Sequence, residues 1–168
     1  MPVKTRPKTE YSIGDGIVQY VSVLPGQYTE RRLRLTPSKE AMIRIWNLPQ
    51  ESFHTHVEQF WWRLTNSGKI DYHDEVAAVA VYGSVARGDA DEESDIDFLV
   101  VTADADTARV ITEAFGSVRI DVADAGAKIG MVETYPLGDY RESIARDSDF
   151  LSGIRDELHA IYDPDGVL

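Results

Sequence analysis

The sequence predicts an α/β fold in which a small mixed sheet is flanked by helices. Two short runs of mainly apolar residues that include several β-branched ones, 76–82 and 96–101, have the length and composition of strands buried on both faces. Longer segments before and after them repeat apolar residues every three or four positions, as amphipathic helices do. With 168 residues, of which 43% are apolar, the chain can form one domain with a substantial core.

The first part of the chain differs from the rest in charge. Residues 1–48 carry 8 Lys and Arg against 4 Asp and Glu, whereas residues 49–168 have a net charge of −16. Within the basic part, 16–23 and 30–35 flank a Pro-Gly turn and predict a β-hairpin, and 37–46 predicts a short helix. We therefore expect a basic N-terminal extension over 1–48, followed by the main domain over 49–168.

The main domain begins with a helix that Pro49 opens and Gly68 ends, since its apolar residues share one helical face. A helix over 106–115, a third strand over 118–123 and a closing helix over 139–162 complete the prediction. The apolar residues on the face of the first of these helices are Phe53, Val57, Phe60, Trp61 and Leu64.

The composition limits the cellular locations and the kinds of binding partner that we expect for this protein. The chain has no cysteine and no run of 18 apolar residues, which excludes a disulfide scaffold and predicts no membrane span or secretory leader. We expect a cytoplasmic protein. The acidic charge makes nucleic acid an unlikely partner, and only 5 of the 17 basic residues are Lys, a bias typical of halophilic archaea. An acidic protein of another origin is the alternative.

A glycine-serine turn follows the first buried strand. Gly83 permits a backbone conformation that a side chain would hinder, and Ser84 stands where a helix can begin. The free N–H groups of such a helix start suit a phosphate, and Arg87 could add positive charge. The alternatives are a plain helix cap for Ser84 and an ordinary surface position for Arg87.

Two aspartates lie at the start of the second buried strand, ten residues beyond the turn. Asp95 and Asp97 are two positions apart, so their carboxylates project from the same face of a strand, while Ile96 and Phe98 point to the core. Adjacent carboxylates resist joint ionisation unless a cation compensates them. The pair therefore predicts Mg²⁺ holding a polyphosphate beside the turn.

A third carboxylate is expected from the predicted strand over 118–123. Asp121 stands out there among apolar residues and could complete a site for two metal ions. Asp124 is the alternative if the strand register is shifted.

The pattern of Gly83-Ser84, ten residues, Asp95-x-Asp97 and a later strand aspartate resembles the polymerase-β nucleotidyltransferase superfamily. More closely it resembles the minimal nucleotidyltransferases of HEPN/MNT toxin–antitoxin systems, over roughly residues 50–163. The resemblance implies a palm-like fold and transfer of a nucleoside monophosphate, AMP from ATP or another nucleoside triphosphate, to a hydroxyl. Two Mg²⁺ ions would be held by Asp95, Asp97 and Asp121, with Gly83, Ser84, Arg87 and Ser94 contacting the nucleotide.

The acceptor is the main open point. The resemblance implies a tyrosine of a HEPN-like partner protein, and an oligomer of the chain is compatible with the sequence. A non-catalytic binding module and a transferase acting on a small molecule are the alternatives. Arg31, Arg32 and Arg34 could contact nucleic acid or a partner, or simply lie on a solvated hairpin.

Overall fold

The computed structural model describes most of the chain beyond residue 35. The described residues are 13–14, 17–18, 36–66, 68, 70–124, 126 and 128–168; the side chains of 13–18, 36–39 and 115–124 lie outside the description. The chain divides into two compact units, residues 1–40 and 41–168. The domain boundary predicted after residue 48 stays a prediction.

The described part of the chain contains both helices and strands. The strands are β1 (Ile13–Gly14), β2 (Ile17–Val18), β3 (Val76–Tyr82), β4 (Ile96–Thr102), β5 (Ile129–Pro136) and β6 (His159–Tyr162). The helices are α1 (Thr36–Trp46), α2 (His54–Thr65), α3 (Tyr72–Glu75), α4 (Ser84–Arg87), α5 (Ala105–Asp124), α6 (Leu137–Ala145) and α7 (Asp149–Ile154). Short 3₁₀ helices cover Glu51–Phe53 and Arg155–Glu157.

Among the described residues, the second unit is built on a four-stranded sheet in the order β5-β4-β3-β6. Strand β3 pairs antiparallel with β4 and β6, whereas β4 pairs parallel with β5. The parallel pair needs a crossover, which α5 supplies. The predicted α/β fold with a small mixed sheet and flanking helices is confirmed.

Both faces of the sheet are buried, as the continuous apolar runs of β3 and β4 predict. On one face, Val79, Val81 and Phe98 pack against α1, α2 and α5, and the Phe60 ring of α2 stacks on Phe98 at a centroid distance of 4.0 Å. The opposite face presents smaller side chains to α6 and α7. That second cluster contains Ala78, Ala80, Tyr82, Leu99, Val101, Tyr140, Leu151 and Ile154.

The predictions for the first helices and the two central strands are confirmed. Helix α1 ends at Trp46, and the helix predicted from Pro49 appears as a 3₁₀ turn followed by α2, with Val57, Phe60 and Leu64 fully buried. The N-terminal hairpin stays a prediction. Most of its residues lie outside the described part of the chain. Of the residues that are described there, β1 and β2 form a short antiparallel pair.

The strand predicted over 118–123 is wrong. Helix α5 does not stop at Gly116 but continues to Asp124, so these residues are helical. The apolar residues Ile111, Val118 and Val122 continue a helical spacing, and a six-residue apolar alternation is too short to exclude a helix. The strand that pairs with β4 is instead β5, which the sequence analysis did not identify.

The single closing helix predicted over 139–162 is also wrong. Helix α6 ends before Asp147, whose φ of 53° lies in the left-handed region, and Ser148 caps α7 through a hydrogen bond from the Leu151 N–H. The last residues of the predicted helix form β6 against β3. Pairing with the central strand therefore outweighs the helical spacing of these residues.

Across the described residues, no helix combines the length and apolar character needed to cross a membrane.

We expect Phe60→Ala to lower the free energy of unfolding by about 3–5 kcal/mol, the usual loss for a fully buried phenylalanine. The Phe60 side chain is 0% exposed, and its removal leaves a cavity against Phe98. Val110→Ala on α5 is the control, since Val110 is 37% exposed and a surface change costs within about 0.5 kcal/mol. Urea unfolding measures both; equal losses would contradict this account of the core.

Candidate active site

The glycine-serine turn lies at the end of central strand β3. Gly83 has φ 75° and ψ −153°, a conformation that other residues rarely adopt, and Ser84 begins α4. The first N–H groups of any helix have no intrahelical acceptor and point away from its start. Gly83 and Ser84 thus occupy the strand-to-helix position that the sequence predicted, at the edge of the second unit's core.

The loop after α4 is held by residues that lie far away in sequence. Gly88 is left-handed, with φ 84°, and an added Cβ would lie 2.8 Å from the Cβ of Pro49. The Gln50 side chain donates to the Ala90 carbonyl at 2.8 Å and accepts from the Ala90 N–H at 3.1 Å. The start of the α2 segment thus fixes the chain between the turn and the aspartates.

The structure gives Arg87 and Ser94 local partners. The Arg87 guanidinium donates to Glu157 at 2.6 Å and to Asp89 at 3.2 Å, and these carboxylates raise the pKa of Arg87. Ser94 exchanges hydrogen bonds with Asp91, accepting from its N–H and donating to its carboxylate, both at 2.9 Å. Both residues hold the loop around the turn, and their nucleotide contacts stay predictions.

Asp97 lies between the turn and the sheet edge. It pairs with Tyr82 across β3 and β4, so its side chain projects beside Gly83. An added Cβ on Gly83 would lie 3.2 Å from Asp97 Oδ2. The other oxygen, Oδ1, accepts a hydrogen bond from the backbone N–H of Met131 on β5 at 2.7 Å. The carboxylate is therefore held from β5 and faces the Gly83 turn.

Asp95 precedes β4 by one residue and lies next to Asp97. An added Cβ on Gly130 would lie 2.9 Å from the Cβ of Asp95 and 2.4 Å from Asp97 Oδ1. The two side chains therefore border the same small space, whereas Ile96 between them is buried at 1% exposure. The alternation predicted for this pair is confirmed.

Tyr82 lies near Asp97 and near a further carboxylate, that of Glu133. Burial, together with the nearby Asp97 and Glu133 carboxylates, raises the pKa of Tyr82 to about 12, so its hydroxyl stays protonated at neutral pH. Glu133 pairs with Leu99 on β4, and Leu99 and Asp97 share one face because they are two positions apart. Glu133 therefore lies on the Asp97 side of the sheet.

Asp121 does not lie on a strand. It belongs to the last turn of α5, and its side chain is outside the described residues. The reason for placing Asp121 or Asp124 beside the Asp pair was the strand over 118–123, and that strand is absent. Glu133 on β5 is the carboxylate that the sheet itself brings to this side.

The fit of a divalent cation depends on the donors that Asp95 and Asp97 provide. No group of three or more His, Asp or Glu in the described part of the chain is arranged to hold a metal ion. Mg²⁺ does not need such a cage, since it commonly binds one or two carboxylates together with substrate phosphates and waters. The two adjacent carboxylates beside the turn fit a cation that arrives with a polyphosphate.

Sequence reasoning missed the residues that support the aspartates. Gly130 and Met131 belong to the unrecognised strand β5, although the β-branched and aromatic residues of this strand, Ile129, Val132, Thr134 and Tyr135, are a strand signal. Gln50 carries no signal in sequence, because its partner is a backbone 40 positions away.

Comparison with known families agrees with this geometry. Comparisons with curated proteins and with solved structures give no match. Residues 68–147 match the family model described as nucleotidyltransferase domain, a segment that contains the turn, the Asp pair and β5. The four-stranded mixed sheet with flanking helices is consistent with the fold of that family. This part of the chain is therefore similar to nucleotidyltransferase domains.

Proposed function

We propose that the protein transfers a nucleoside monophosphate, AMP from ATP, to a hydroxyl group in a Mg²⁺-dependent reaction. The acceptor oxygen would bond to the α-phosphorus as the bond to the bridging oxygen breaks and pyrophosphate leaves. The observation that carries the proposal is the position of Asp97, whose Oδ2 faces the Gly83 turn at the end of β3. A cation held by this carboxylate would lie beside the N–H groups that start α4. Positive charge and backbone donors at one point are what a triphosphate needs for binding.

Each residue of the site has a separate part in this proposal. The backbone at Gly83 and Ser84 binds phosphate oxygens, and Asp95 and Asp97 hold the cation. When bound, Mg²⁺ neutralises charge that develops on the phosphates and favours ionisation of the attacking hydroxyl. The Tyr82 hydroxyl, protonated well above neutral pH, can donate a hydrogen bond but does not act as a base.

We further propose that Glu133 takes the part that the sequence assigned to Asp121. Glu133 lies on the Asp97 face of the sheet, and both carboxylates raise the pKa of Tyr82. A third carboxylate on this side would assist the acceptor hydroxyl directly, by accepting its proton. Superfamily resemblance supports a third carboxylate in general, and the sheet favours Glu133.

For the acceptor, we propose a tyrosine of a HEPN-type partner protein. Residues 49–168 carry a net charge of −16, which repels a polyanionic acceptor. Tyrosine presents a hydroxyl on an uncharged ring and avoids this repulsion. If the acidic, Lys-poor composition reflects a salt-rich cytoplasm, contact with nucleic acid would weaken further.

We expect Asp97→Asn to lower nucleotidyl transfer at least about 100-fold, because it removes half of the charge that holds the cation. The asparagine Oδ1 can still accept from Met131, so the free energy of unfolding should change by only about 1 kcal/mol. Asp165→Asn is the control, since Asp165 is exposed near the end of the chain. Transfer is measured with labelled ATP and Mg²⁺, and stability with urea. Full activity in Asp97→Asn would disprove the proposed site.

Glu133→Gln and Asp121→Asn distinguish the two candidates for the third carboxylate. If Glu133 serves the reaction, Glu133→Gln should lower kcat about tenfold or more, and Asp121→Asn should leave kcat within about twofold of the parent. Steady-state rates at saturating ATP measure the effect. The reverse ranking would return the role to the end of α5.

The acceptor is tested by incubating the protein with labelled ATP, Mg²⁺ and either RNA or a HEPN-type partner at high salt. We expect label on a tyrosine of the partner that is lost in Asp97→Asn. Label on RNA that is lost when Arg31, Arg32 and Arg34 are changed to Ala would contradict the protein acceptor. Those arginines lie outside the described residues, so the experiment depends on their charge alone.

A further inference from the structure

Strand β5 contains an irregularity opposite Asp97. Ile96 pairs with Ile129 and Phe98 with Val132, so two residues of β5, Gly130 and Met131, stand opposite Asp97 alone. This two-against-one arrangement is a β-bulge, a feature that frequently re-aims a group next to an active site. In this bulge the Met131 N–H donates to the Asp97 side chain at 2.7 Å.

The first bulge residue has no side chain, and none would fit there. An added Cβ on Gly130 would lie 2.4 Å from Asp97 Oδ1 and 2.9 Å from the Cβ of Asp95. Real Cβ atoms essentially never approach a heavy atom so closely. The φ of Gly130 is not in the left-handed region. The glycine is therefore needed for space, and both side chains it makes room for belong to the proposed site.

We propose that the Gly130–Met131 bulge is the element that positions the catalytic carboxylates. The Met131 N–H occupies Oδ1 of Asp97 and leaves Oδ2 directed at the Gly83 turn, where the cation and phosphate are to bind. Gly130 provides the volume in which Asp95 and Asp97 lie side by side. This inference rests on the proposed function and adds two positioning residues to it. Neither residue contacts the reacting atoms through its side chain.

A purely structural bulge would have different consequences. A bulge that only shaped the sheet would affect stability when changed, but not the affinity for a cation or the environment of the Met131 amide. A positioning bulge links the amide, the carboxylate and the cation. The tests therefore measure that link, and the first two do not need catalysis.

The first test uses the Met131 amide as a reporter. The chain contains 3 methionines, so [¹⁵N]methionine labelling gives a simple spectrum in which Met42 of α1 is an internal reference. We expect Asp97→Asn to shift the Met131 amide resonance and leave Met42 in place. Met131→Leu and Met42→Leu assign the two signals. An unchanged Met131 resonance in Asp97→Asn would overturn the inference, because exchanging a charged acceptor for a neutral amide must alter the shift of an N–H that donates to it.

The second test measures cation affinity with Mn²⁺ added together with a non-hydrolysable ATP analogue, because the two carboxylates fit a cation that arrives with a polyphosphate. Paramagnetic Mn²⁺ bound by Asp95 and Asp97 should broaden the Met131 signal more than the Met42 signal, because the Met131 amide donates to Asp97. We expect Gly130→Ala to require about tenfold more Mn²⁺ for the same broadening, as changes to groups that orient metal ligands do. The matched control is Gly153→Ala in α7, where an added Cβ meets nothing within 4 Å. Parent-like Mn²⁺ binding by Gly130→Ala would overturn the inference.

Kinetics separates this inference from the proposed function. In transfer assays, Gly130→Ala should raise the Mg²⁺ concentration for half-maximal rate about tenfold, with Gly153→Ala unchanged. If Gly130→Ala does not fold, the Asp97→Asn spectrum still decides the matter. Mn²⁺ binding that depends on Gly130, in a protein that transfers no nucleotide, would support the positioning role and refute the proposed activity.

Discussion

The constraint on which the site depends is the placement of two carboxylates side by side at one end of an apolar sheet. Like charges that lie side by side repel each other unless a cation compensates them. The structure meets the constraint by burying Ile96 and Phe98, next to Asp97 on the opposite face of β4. Because these anchors are fully packed, the aspartates cannot move apart by shifting the strand.

The two strands beside β4 contribute to the site mainly through backbone. On β3 the chain turns at Gly83, and on β5 it bulges at Gly130, so that each side of the Asp97 carboxylate faces a residue without a side chain. Strand pairing fixes the positions of both glycines relative to Asp97. The geometry of the site is therefore determined by the sheet more than by its loops. The loop from Gly88 to Ser94 leads from α4 towards β4, and hydrogen bonds between Gln50 and Ala90 hold it in place.

The parts of the site that sequence predicted are those encoded by local patterns. Continuous apolar runs specify β3 and β4, and the spacing of Asp95 and Asp97 within a strand fixes their common face. The prediction for Asp121 was wrong about its strand because 118–123 fits both a strand and the continuation of α5. The closing segment was misjudged for a similar reason, since pairing of β6 with β3 is a long-range interaction. Gly130 shows the limit most clearly: its role depends on the register between β4 and β5, and no local pattern encodes it.

The side chains around the carboxylates bear on what can approach them. Met131, whose amide holds Asp97, has a side chain that is 57% exposed, and Phe150, which is 38% exposed, packs edge-on against Tyr82. Two apolar side chains are thus exposed to solvent on segments that contact Asp97 or its strand partner Tyr82. Apolar contact is not weakened by salt, whereas attraction to phosphate is. The acceptor proposed above, a tyrosine hydroxyl on a partner protein, is uncharged and partly apolar, and it is therefore compatible with these surroundings.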